Sequence, residues 1–559
     1  MTKIWHKSYD AGVPTEININ QYNSINEVIE VSLKKYRDRP AWHCMGTTIT
    51  FGQLDEFSQK FASYLQNDLK LERGDRVALM MPNILQYPVA LYGILRAGLT
   101  VVNVNPLYTA RELEHQMKDS GAKAIVIFAN SAGILQKILA QTSLKHVILT
   151  EIGDMLKFPK NHIVNFVIKK VKKMVPPYEI PTATSFIECV ARGNAAAYVK
   201  PDVKLDDVAF LQYTGGTTGV AKGAMLTHKN IVSNIFQAGG WIRNFATEGK
   251  EIMITPLPLY HIFSLTANCL FYGYIGALNV LITNPRDMPG FIKELKKWKF
   301  TAITGVNTLF NGLLNTPGFK EVDFSHMKLT LGGGMAVQKV VAERWKQVTG
   351  VPLIEAYGLT ETSPAACINP MSLKDFNGFI GLPLPSTEVE IKDDNGKTIA
   401  LGEIGEICIK GPQVMAGYWN RPDETAKVMT NDGFFKTGDL GFMLESGFVK
   451  IVDRKKDMIL VSGFNVYPNE LEDVICSHPK VLEAAAIGVP DEKSGEVVKI
   501  FVVKKDDTLT QDELMKFCRE NLTSYKIPKS IEFRKELPKT NVGKILRKDL
   551  RAEVLAKNS

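Results

Sequence analysis

Cysteine is scarce in this 559-residue chain, and no two cysteines stand in a Cys-x-x-Cys spacing. The seven cysteines occupy positions 44, 189, 269, 367, 408, 476 and 518. Their odd number and scattered spacing argue against a zinc site and against a disulfide framework. The N-terminal residues also lack an apolar signal core. We therefore expect reduced thiols in a cytoplasmic protein.

A strong net charge is also missing. Lys and Arg number 67 and Asp and Glu number 59, which gives a net charge of +8. This small excess fits anionic ligands or an acidic lipid surface, and it is too weak to indicate nucleic-acid binding, for which the chain carries no motif. A content of 45% hydrophobic and 23% charged residues is ordinary for a globular protein of more than one domain.

Charge is absent from one stretch that is long enough to span a membrane, residues 252–285. Pro256, Pro258, Gly273 and Gly276 interrupt this stretch. The interruptions predict a strand, a turn, a buried helix and a second strand. A membrane carrier built around the same stretch is the alternative from a different functional class.

A run rich in glycine and threonine is typical of a loop that binds phosphate. It reads Tyr213, Thr214, Gly215, Gly216, Thr217, Thr218, Gly219, Val220, Ala221, Lys222 and Gly223. Glycine lets backbone N–H groups approach an anion, and threonine and lysine add further donors. The run matches neither a Walker A loop nor a Gly-x-Gly-x-x-Gly turn. A flexible surface loop is the alternative for the run alone.

Three later segments carry side chains suited to a nucleotide. In residues 355–362, an aromatic ring beside a glycine can lie against a purine, and a carboxylate can bind Mg²⁺. In residues 436–457, an aspartate and an arginine can bind ribose hydroxyls. In residues 538–545, Lys544 can neutralise two anions that must react with each other.

In their order along the chain and in their amino-acid sequences, these four segments resemble the motifs of the acyl-adenylate-forming enzymes. That superfamily includes acyl-CoA synthetases, aryl-CoA ligases, luciferases and peptide-synthetase adenylation domains. Residues 50–54, 96–102, 258–263 and 331–335 resemble further segments of that superfamily. The resemblance covers nearly the whole chain. The run 452–470 is most similar to that of the bacterial long-chain fatty acid CoA ligases. Ser462 and Leu265 depart from variants common in that group.

The resemblance implies a two-step ligation for fatty acid degradation and lipid metabolism. A fatty acid first reacts with MgATP to give acyl-AMP and pyrophosphate, and coenzyme A then takes the acyl group and releases AMP. A ligase for medium-chain or aryl acids is the alternative. The implied substrates are therefore a fatty acid, ATP and CoA, with Mg²⁺ as cofactor, and the chain-length preference stays open.

The resemblance also implies roles for single residues. Thr214 and Glu361 would bind magnesium, Tyr357 would contact adenine, and Lys544 would reach the carboxylate and the α-phosphate. Asp439 and Arg454 would hold the ribose. His261 would lie beside the substrate carboxylate and act as a gate, although a lone histidine is more often an ordinary core residue. The expected nucleotide site also includes Ala224, Gly333, Gly334, Gly358 and Thr360.

Apolar runs that alternate with helical stretches, together with the resemblance, predict an α/β fold. We expect a large N-terminal domain of layered, mostly parallel β/α subdomains and a small, mobile α+β C-terminal domain. The predicted bounds are residues 1–453 for the first domain, 454–457 for a hinge and 458–559 for the second domain. Predicted elements are strands at 124–128, 147–150, 302–305, 329–332, 484–489 and 499–504 and helices near 470–478 and 511–521.

Residues 160–175 form a basic and apolar segment. Ile163, Val167, Val171 and Met174 would share one helical face, and four lysines at 169, 170, 172 and 173 would flank it. Such a helix can lie on an anionic leaflet, which predicts peripheral association with the cytoplasmic face of the inner membrane. A surface helix that packs on its own domain fits the pattern equally well. The sequence leaves homodimer formation open.

Overall fold

The structure is a computed structural model that describes residues 3–214, 221–491 and 493–558. Its strands, in chain order, are β1 (Pro40–Cys44), β2 (Thr47–Thr50), β3 (Arg76–Met80), β4 (Thr100–Asn103), β5 (Ala124–Phe128), β6 (His146–Thr150), β7 (Thr184–Ser185), β8 (Val208–Thr214), β9 (Lys222–Thr227), β10 (Ile252–Thr255), β11 (Leu278–Leu281), β12 (Ala302–Gly305), β13 (Leu329–Gly333), β14 (Leu353–Gly358), β15 (Ala365–Ile368), β16 (Leu382–Pro383), β17 (Glu388–Lys392), β18 (Gly405–Lys410), β19 (Phe435–Met443), β20 (Val449–Arg454), β21 (Ile459–Val461), β22 (Phe464–Val466), β23 (Val481–Asp491), β24 (Gly495–Lys504) and β25 (Ser530–Arg534). Its helices are α1 (Ile25–Lys35), α2 (Phe51–Asn67), α3 (Gln86–Arg96), α4 (Ala110–Ser120), α5 (Ala132–Ile138), α6 (Lys160–Phe166), α7 (Phe186–Arg192), α8 (His228–Ile242), α9 (Ile262–Ser264), α10 (Met288–Leu295), α11 (Asn307–Leu314), α12 (Lys339–Thr349), α13 (Pro422–Val428), α14 (Pro468–Cys476), α15 (Gln511–Asn521) and α16 (Arg547–Asn558).

Two large sheets dominate the first 385 residues. One has the order β7-β6-β5-β3-β4-β8-β9 and is parallel except for the hairpin β8–β9. The other has the order β16-β15-β14-β13-β12-β10-β11-β1-β2, with a parallel centre from β14 to β1. Strand β5, with the sequence Ala-Ile-Val-Ile-Phe, is buried along its whole length, as expected for a parallel strand covered on both faces. The predicted α/β fold is confirmed.

Two smaller sheets follow. Strands β17–β20 form an antiparallel sheet. Strands β21–β25 form a mixed sheet with its own core, into which α14 and α15 pack buried side chains such as Leu471 and Leu514. Strand β20 ends at Arg454 and β21 begins at Ile459, so the predicted hinge starts at the last residue of β20 and continues through the turn at 455–457 that joins these two sheets. The domain bounds themselves stay a prediction.

The uncharged stretch folds as expected into β10, a turn, a helical segment and β11. The helical segment begins as α9 and continues as a π-helix over Leu265–Tyr272, which buries seven of its residues: Leu265, Thr266, Asn268, Cys269, Leu270, Phe271 and Tyr272. Among the helices that the structure describes, none has both the length and the apolar character needed to cross a membrane. The stretch is core of the large domain.

The basic segment differs from the single helix that we predicted. It is an α-helix over Lys160–Phe166 and a π-helix over Val167–Val171. The helix ends there because Lys173 adopts a left-handed backbone with φ of 50° and the amide of Met174 turns back to the carbonyl of Ile168 at 3.0 Å. Met174 therefore lies beyond the predicted helical face.

Candidate active site

The hairpin β8–β9 carries both ends of the glycine- and threonine-rich run. Thr214 pairs with Lys222 and Tyr213 with Gly223, while Gly215, Gly216, Thr217, Thr218, Gly219 and Val220 lie outside the described residues. Within this run, the carbonyl oxygen of Ala221 is 2.9 Å from Nε2 of His115, and just after the run Ala224 forms a β-bridge with Tyr418. The hydroxyl of Tyr213 donates to Oδ2 of Asp119 at 2.7 Å. This hydrogen bond connects the hairpin to Asp119 in α4.

Tyr418 connects the hairpin to the predicted metal ligand. The ammonium group of Lys222 pairs with Glu424 and lies 5.2 Å from the ring centre of Tyr418. The hydroxyl of Tyr418 donates to Oε1 of Glu361 at 2.8 Å. Burial raises the pKa of Glu361, and the Tyr418 hydroxyl opposes that shift. Sequence reasoning missed Tyr418 because it stands outside every motif.

Tyr357, Asp439 and Arg454 meet where β14 ends beside the β19–β20 pair. The hydroxyl of Tyr357 donates to Oδ2 of Asp439 at 2.6 Å. Nε of Arg454 lies 3.4 Å from Oδ1 of the same aspartate, and the two residues face each other in the antiparallel register. Burial raises the pKa of Asp439 although Arg454 opposes that shift. The predicted adenine and ribose residues therefore share one cluster.

Glycines shape the backbone around this cluster. A side chain at Gly358 would lie 1.9 Å from the carbonyl oxygen of Pro364, so only glycine fits where Thr360 begins the next turn. Gly334, directly after Gly333 at the end of β13, has a φ of 78°.

Lys544 reaches the same place from the C-terminal domain. A Cβ at Gly334 would lie 3.4 Å from Cε of Lys544. Burial, together with the charge of Arg454, lowers the pKa of Lys544 to about 8. Its loop is held by Thr540, whose hydroxyl accepts from the Lys544 amide at 3.1 Å. The hydroxyl of Thr308 in α11 donates to the carbonyl of Gly543 at 3.1 Å, which docks the loop on the large domain.

His261 caps α9 at the edge of the site. Its Nδ1 accepts from the amide of Phe263 at 3.4 Å. Burial, aided by the positive charge of Lys544, lowers the pKa of His261 to about 3, so the imidazole is neutral at neutral pH. A neutral ring adds no charge of its own to the site.

A polar relay holds the turn before His261. The hydroxyl oxygen of Tyr87 lies 2.7 Å from Oδ1 of Asn103 and 2.9 Å from the carbonyl oxygen of Leu259, and these two acceptors share its single proton. Nδ2 of Asn103 donates to Gln212 at 3.1 Å, and Nε2 of Gln212 donates to the carbonyl of Tyr260 at 2.6 Å. Because Gln212 belongs to one large sheet and Tyr260 follows β10 of the other, the relay joins the carboxyl ends of both sheets.

A buried ionic cluster at the predicted hinge was not foreseen from the sequence. The guanidinium group of Arg547 in α16 contacts Glu472 at 2.7 Å, Asp453 at 3.2 Å and Asp457 at 3.4 Å. Oδ2 of Asp453 also accepts from the amide of Asn469 at the start of α14, at 2.7 Å. Burial raises the pKa of Asp453 to about 6. The only sequence signal was an arginine three positions after Lys544.

Of the predicted site residues that the structure describes, Tyr357, Glu361, Asp439, Arg454 and Lys544 lie together beside β13, β14 and β19–β20. A family model for AMP-binding enzymes matches residues 29–419, and a model for their C-terminal domain matches residues 470–544. The chain belongs to the AMP-binding enzyme family.

Relatives of this AMP-binding enzyme are similar over their full length. A long-chain-fatty-acid–CoA ligase of Escherichia coli O6:H1 is 58% identical over 557 residues, which cover 100% of this chain and 99% of the relative. A feruloyl-CoA synthase of an Amycolatopsis species is 32% identical and covers 90% of this chain and 94% of its own. The crystal structure of ATP-bound MatB from Rhodopseudomonas palustris, 28% identical, has a TM-score of 0.83 and covers 96% of this chain and 100% of its own.

The described part of the site offers few protein ligands for a metal ion. In the described ranges no group of three or more His, Cys, Asp and Glu side chains is arranged to hold a metal ion. Glu361 is one buried carboxylate whose Oε1 already accepts one hydrogen bond. Mg²⁺ commonly binds through one or two carboxylates plus substrate phosphates, so this donor set fits magnesium that arrives with a nucleotide.

Proposed function

We propose that this chain is a long-chain fatty acid–CoA ligase that forms AMP. The observation that carries the proposal is Lys544, which lies half-buried against Gly334 and near Asp439 and Arg454. A carboxylate and a phosphate repel each other, and a partly desolvated ammonium group between them lowers that cost. The 58% identity to a full-length long-chain-fatty-acid–CoA ligase supports the substrate class.

In the first half-reaction, a carboxylate oxygen attacks the α-phosphorus of ATP and the bond to pyrophosphate breaks. We assign Lys544 to the charge that develops on the carboxylate and the α-phosphate. Tyr357 lies against adenine, Asp439 and Arg454 bind the ribose hydroxyls, and the loop from Tyr213 to Ala224 binds the phosphates with Lys222. His261 stands beside the carboxylate. Magnesium, held by Glu361 and Thr214, would neutralise phosphate charge during this step.

In the second half-reaction, the CoA thiolate attacks the acyl carbonyl carbon and the bond to AMP breaks. The residue that served the first step, Lys544, lies on the small domain, and so does the 462–468 segment that resembles the thioester-forming stretch of the superfamily. The small domain cannot present both at once. We therefore propose that it rotates between the two steps about residues 454–457.

A panel of acids tests the function. Pyrophosphate release would be measured with octanoate, laurate, palmitate, oleate, benzoate and ferulate, each with MgATP and then with CoA added. We expect palmitate and oleate to give the highest kcat/KM. A preference for benzoate or ferulate would identify an aryl-acid ligase instead. That alternative has weaker support, because the identity to the feruloyl-CoA synthase is 32% and the identity to the long-chain ligase is 58%.

We also propose that the 157–175 segment contacts the membrane surface at the cytoplasmic face. Five of its large apolar side chains are exposed: Phe158 (81%), Ile163 (56%), Phe166 (61%), Val171 (65%) and Met174 (53%). Exposed lysines 169, 170, 172 and 173 flank them. An apolar surface beside lysines suits the headgroup region of an anionic leaflet. Other side chains of the segment pack on the domain: Val164 contacts the core, and Nδ2 of Asn165 donates to Asp154 at 3.0 Å.

A further inference from the structure

Helix α11 carries two side chains that reach the small domain. Thr308 and Asn311 stand three positions apart in this helix, so they lie on the same face. The hydroxyl of Thr308 donates to the carbonyl of Gly543 at 3.1 Å, and Nδ2 of Asn311 donates to the carbonyl of Leu482 at 3.1 Å. The two acceptors belong to different segments of the small domain, the loop of Lys544 and strand β23. One face of a large-domain helix therefore contacts the small domain at two points.

A bulge in β23 presents the carbonyl group that Asn311 contacts. In the antiparallel pair β23–β24, Val481 faces Lys504 and Glu483 faces Val503, which leaves Leu482 as one extra residue. The extra residue of a bulge is not paired in the ladder, and a carbonyl group that is buried without a partner is costly. The side chain of Asn311, which is only 6% exposed, supplies that partner. The bulge and the asparagine thus match each other across the domain boundary.

The contact at Gly543 fixes the loop that carries Lys544. Gly543 has a φ of 85°, and its amide donates to the carbonyl of Thr540 at 2.9 Å, which closes a tight turn. A Cβ at Gly543 would lie 2.5 Å from Oγ1 of Thr308, so the turn rests directly on α11. Because Gly543 precedes Lys544 in the chain, a shift of this turn would also move the lysine.

Helix α11 is itself held firmly on the large domain. Nδ2 of Asn307 donates to Oε1 of Gln338 at 3.0 Å, and the amide of Gln338 donates back to Oδ1 of Asn307 at 3.0 Å. The buried ring of Phe310 packs against Trp345 with the ring centres 4.7 Å apart. Gln338 closely follows Gly334, which lies against Lys544. The helix is therefore a fixed support for the small domain, placed beside the nucleotide site.

We propose that Thr308 and Asn311, which we call the α11 latch, are positioning residues that hold the small domain where Lys544 reaches the reacting groups, and that the latch must open before thioester formation. The proposal rests on the proposed ligase function. Both side chains bind backbone carbonyl groups, so they respond to where the small domain lies and not to which acid is bound. The latch joins α11 to β23 and to the Lys544 loop, whereas the ionic cluster around Arg547 joins β20 to α14 and α16.

The first test compares Thr308→Val with Thr316→Val. The hydroxyl of Thr316, just after α11, donates to the carbonyl of Gly312 at 2.8 Å, within the large domain. Each substitution keeps the shape of the side chain and removes one hydrogen bond to the backbone. We expect Thr308→Val to slow pyrophosphate release about fivefold, the effect of one net hydrogen bond, while supplied acyl-AMP and CoA still give thioester at the wild-type rate or faster. Asn311→Ala should do the same.

The control Thr316→Val should leave the ratio of the two half-reaction rates at the wild-type value, even if it lowers Tm. Equal loss of both half-reactions in Thr308→Val and Asn311→Ala would show that these residues serve stability alone and would contradict the proposal. An unchanged rate of pyrophosphate release in both variants would contradict it as well.

The second test closes the latch with a covalent bond. A Cβ at Gly543 would lie 3.8 Å from Cβ of Thr308, which suits a disulfide. All seven native cysteines are buried, so oxidised glutathione should join only the introduced pair in the double variant Thr308→Cys, Gly543→Cys. We expect the oxidised protein to release about one equivalent of pyrophosphate and to make almost no acyl-CoA. Dithiothreitol should restore acyl-CoA production.

The oxidised and reduced forms share one sequence, so any strain that cysteine causes at position 543 affects both. Undiminished acyl-CoA production by protein whose disulfide is verified by mass spectrometry would overturn the proposal. Two thiols that stay unjoined under oxidation would also overturn it, because the two residues would then not meet. If wild type forms acyl-AMP from no acid at all, the ligase function fails first, which the acid panel reveals separately.

Discussion

Nη1 of Arg547 lies 3.2 Å from Oδ1 of Asp453, and the predicted hinge separates the two residues. Asp453 belongs to β20, whereas Arg547, Glu472 and Asn469 belong to elements of the C-terminal domain. A rotation about residues 454–457 would separate Asp453 from all three. The pair therefore favours the orientation in which Lys544 reaches the site.

Asp453→Asn tests this relationship. The variant removes the charge across the hinge but leaves Arg547 paired with Glu472 and Asp457. We expect acyl-AMP formation to fall about tenfold, about 1.4 kcal/mol, whereas thioester formation from supplied acyl-AMP should be unchanged or faster. Glu472→Gln is the matched control, because the partners of Glu472, Arg547 and the amide of Ala486, both lie in the C-terminal domain and move with it. It should lower Tm and affect the two half-reactions equally.

Lys544→Ala separates the half-reactions in another way. The charge of Lys544 matters while the carboxylate and the α-phosphate approach each other and matters less once the mixed anhydride exists. We expect pyrophosphate release to be nearly abolished, while acyl-AMP and CoA still give thioester. Equal loss in both assays would refute the assigned role.

The pH dependence of adenylation should report the same lysine. The lowered pKa of Lys544, about 8, means that the ammonium form is present below that pH and is lost as pH rises through it. We expect kcat/KM for ATP to decline above about pH 8, earlier than for an ordinary lysine near 10.4. In the pH profile of kcat, the midpoint should lie at a higher pH, because the negative charge of bound phosphates favours the ammonium form of Lys544. A flat profile to pH 10 in wild type would contradict this assignment.

Lys456→Pro tests the hinge itself. Among the described residues, the amide of Lys456 donates to no acceptor, so proline removes no hydrogen bond from this conformation. Proline fixes φ near roughly −65° and should block the rotation. We expect acyl-AMP formation to be retained and acyl-CoA production to fall about a hundredfold, about 2.7 kcal/mol. If both half-reactions survive, the hinge lies elsewhere in the chain.

Membrane contact by the 157–175 segment predicts a change in vesicle binding. Reversing the four lysines at 169, 170, 172 and 173 to Glu should weaken binding to anionic vesicles, since each basic residue contributes about 1 kcal/mol near such a surface. Phe166→Ser should weaken it through lost apolar contact. Activity on detergent-dispersed palmitate should stay near wild type in both. Unchanged vesicle sedimentation would indicate that the segment serves another purpose.

Local sequence patterns predicted the strands and helices well where the spacing of apolar residues fits only one kind of element. Strands Ala124–Phe128 and Ala302–Gly305 and helix Gln511–Asn521 have the predicted bounds, because continuous apolar runs and a capping threonine determine them locally. The predicted end of the basic helix was wrong, because the left-handed turn at Lys173 has no sequence marker such as glycine. Ser462 likewise adopts a left-handed φ of 50°, a backbone conformation that favours glycine.

The motifs predicted which residues would lie together, but not the network that joins them. Tyr357, Asp439 and Lys544 do lie close together, and their roles stay predictions. The motifs could not identify Tyr418 or the hinge cluster around Arg547, because their contacts join residues 57 and 94 positions apart. Such pairings depend on how the strands and helices are arranged in three dimensions, and the spacing of apolar residues along the sequence does not specify that arrangement.

The polar relay also bears on which headgroup the cleft accepts. Its hydrogen bonds already engage the carbonyl oxygens of Leu259 and Tyr260, the groups that would otherwise attract a donor such as a fatty alcohol or amide. His261 is neutral there, and Lys544 supplies a positive charge. We therefore expect the cleft to bind an ionised acid in preference to its neutral analogues, because only the acid carries a charge that Lys544 can neutralise.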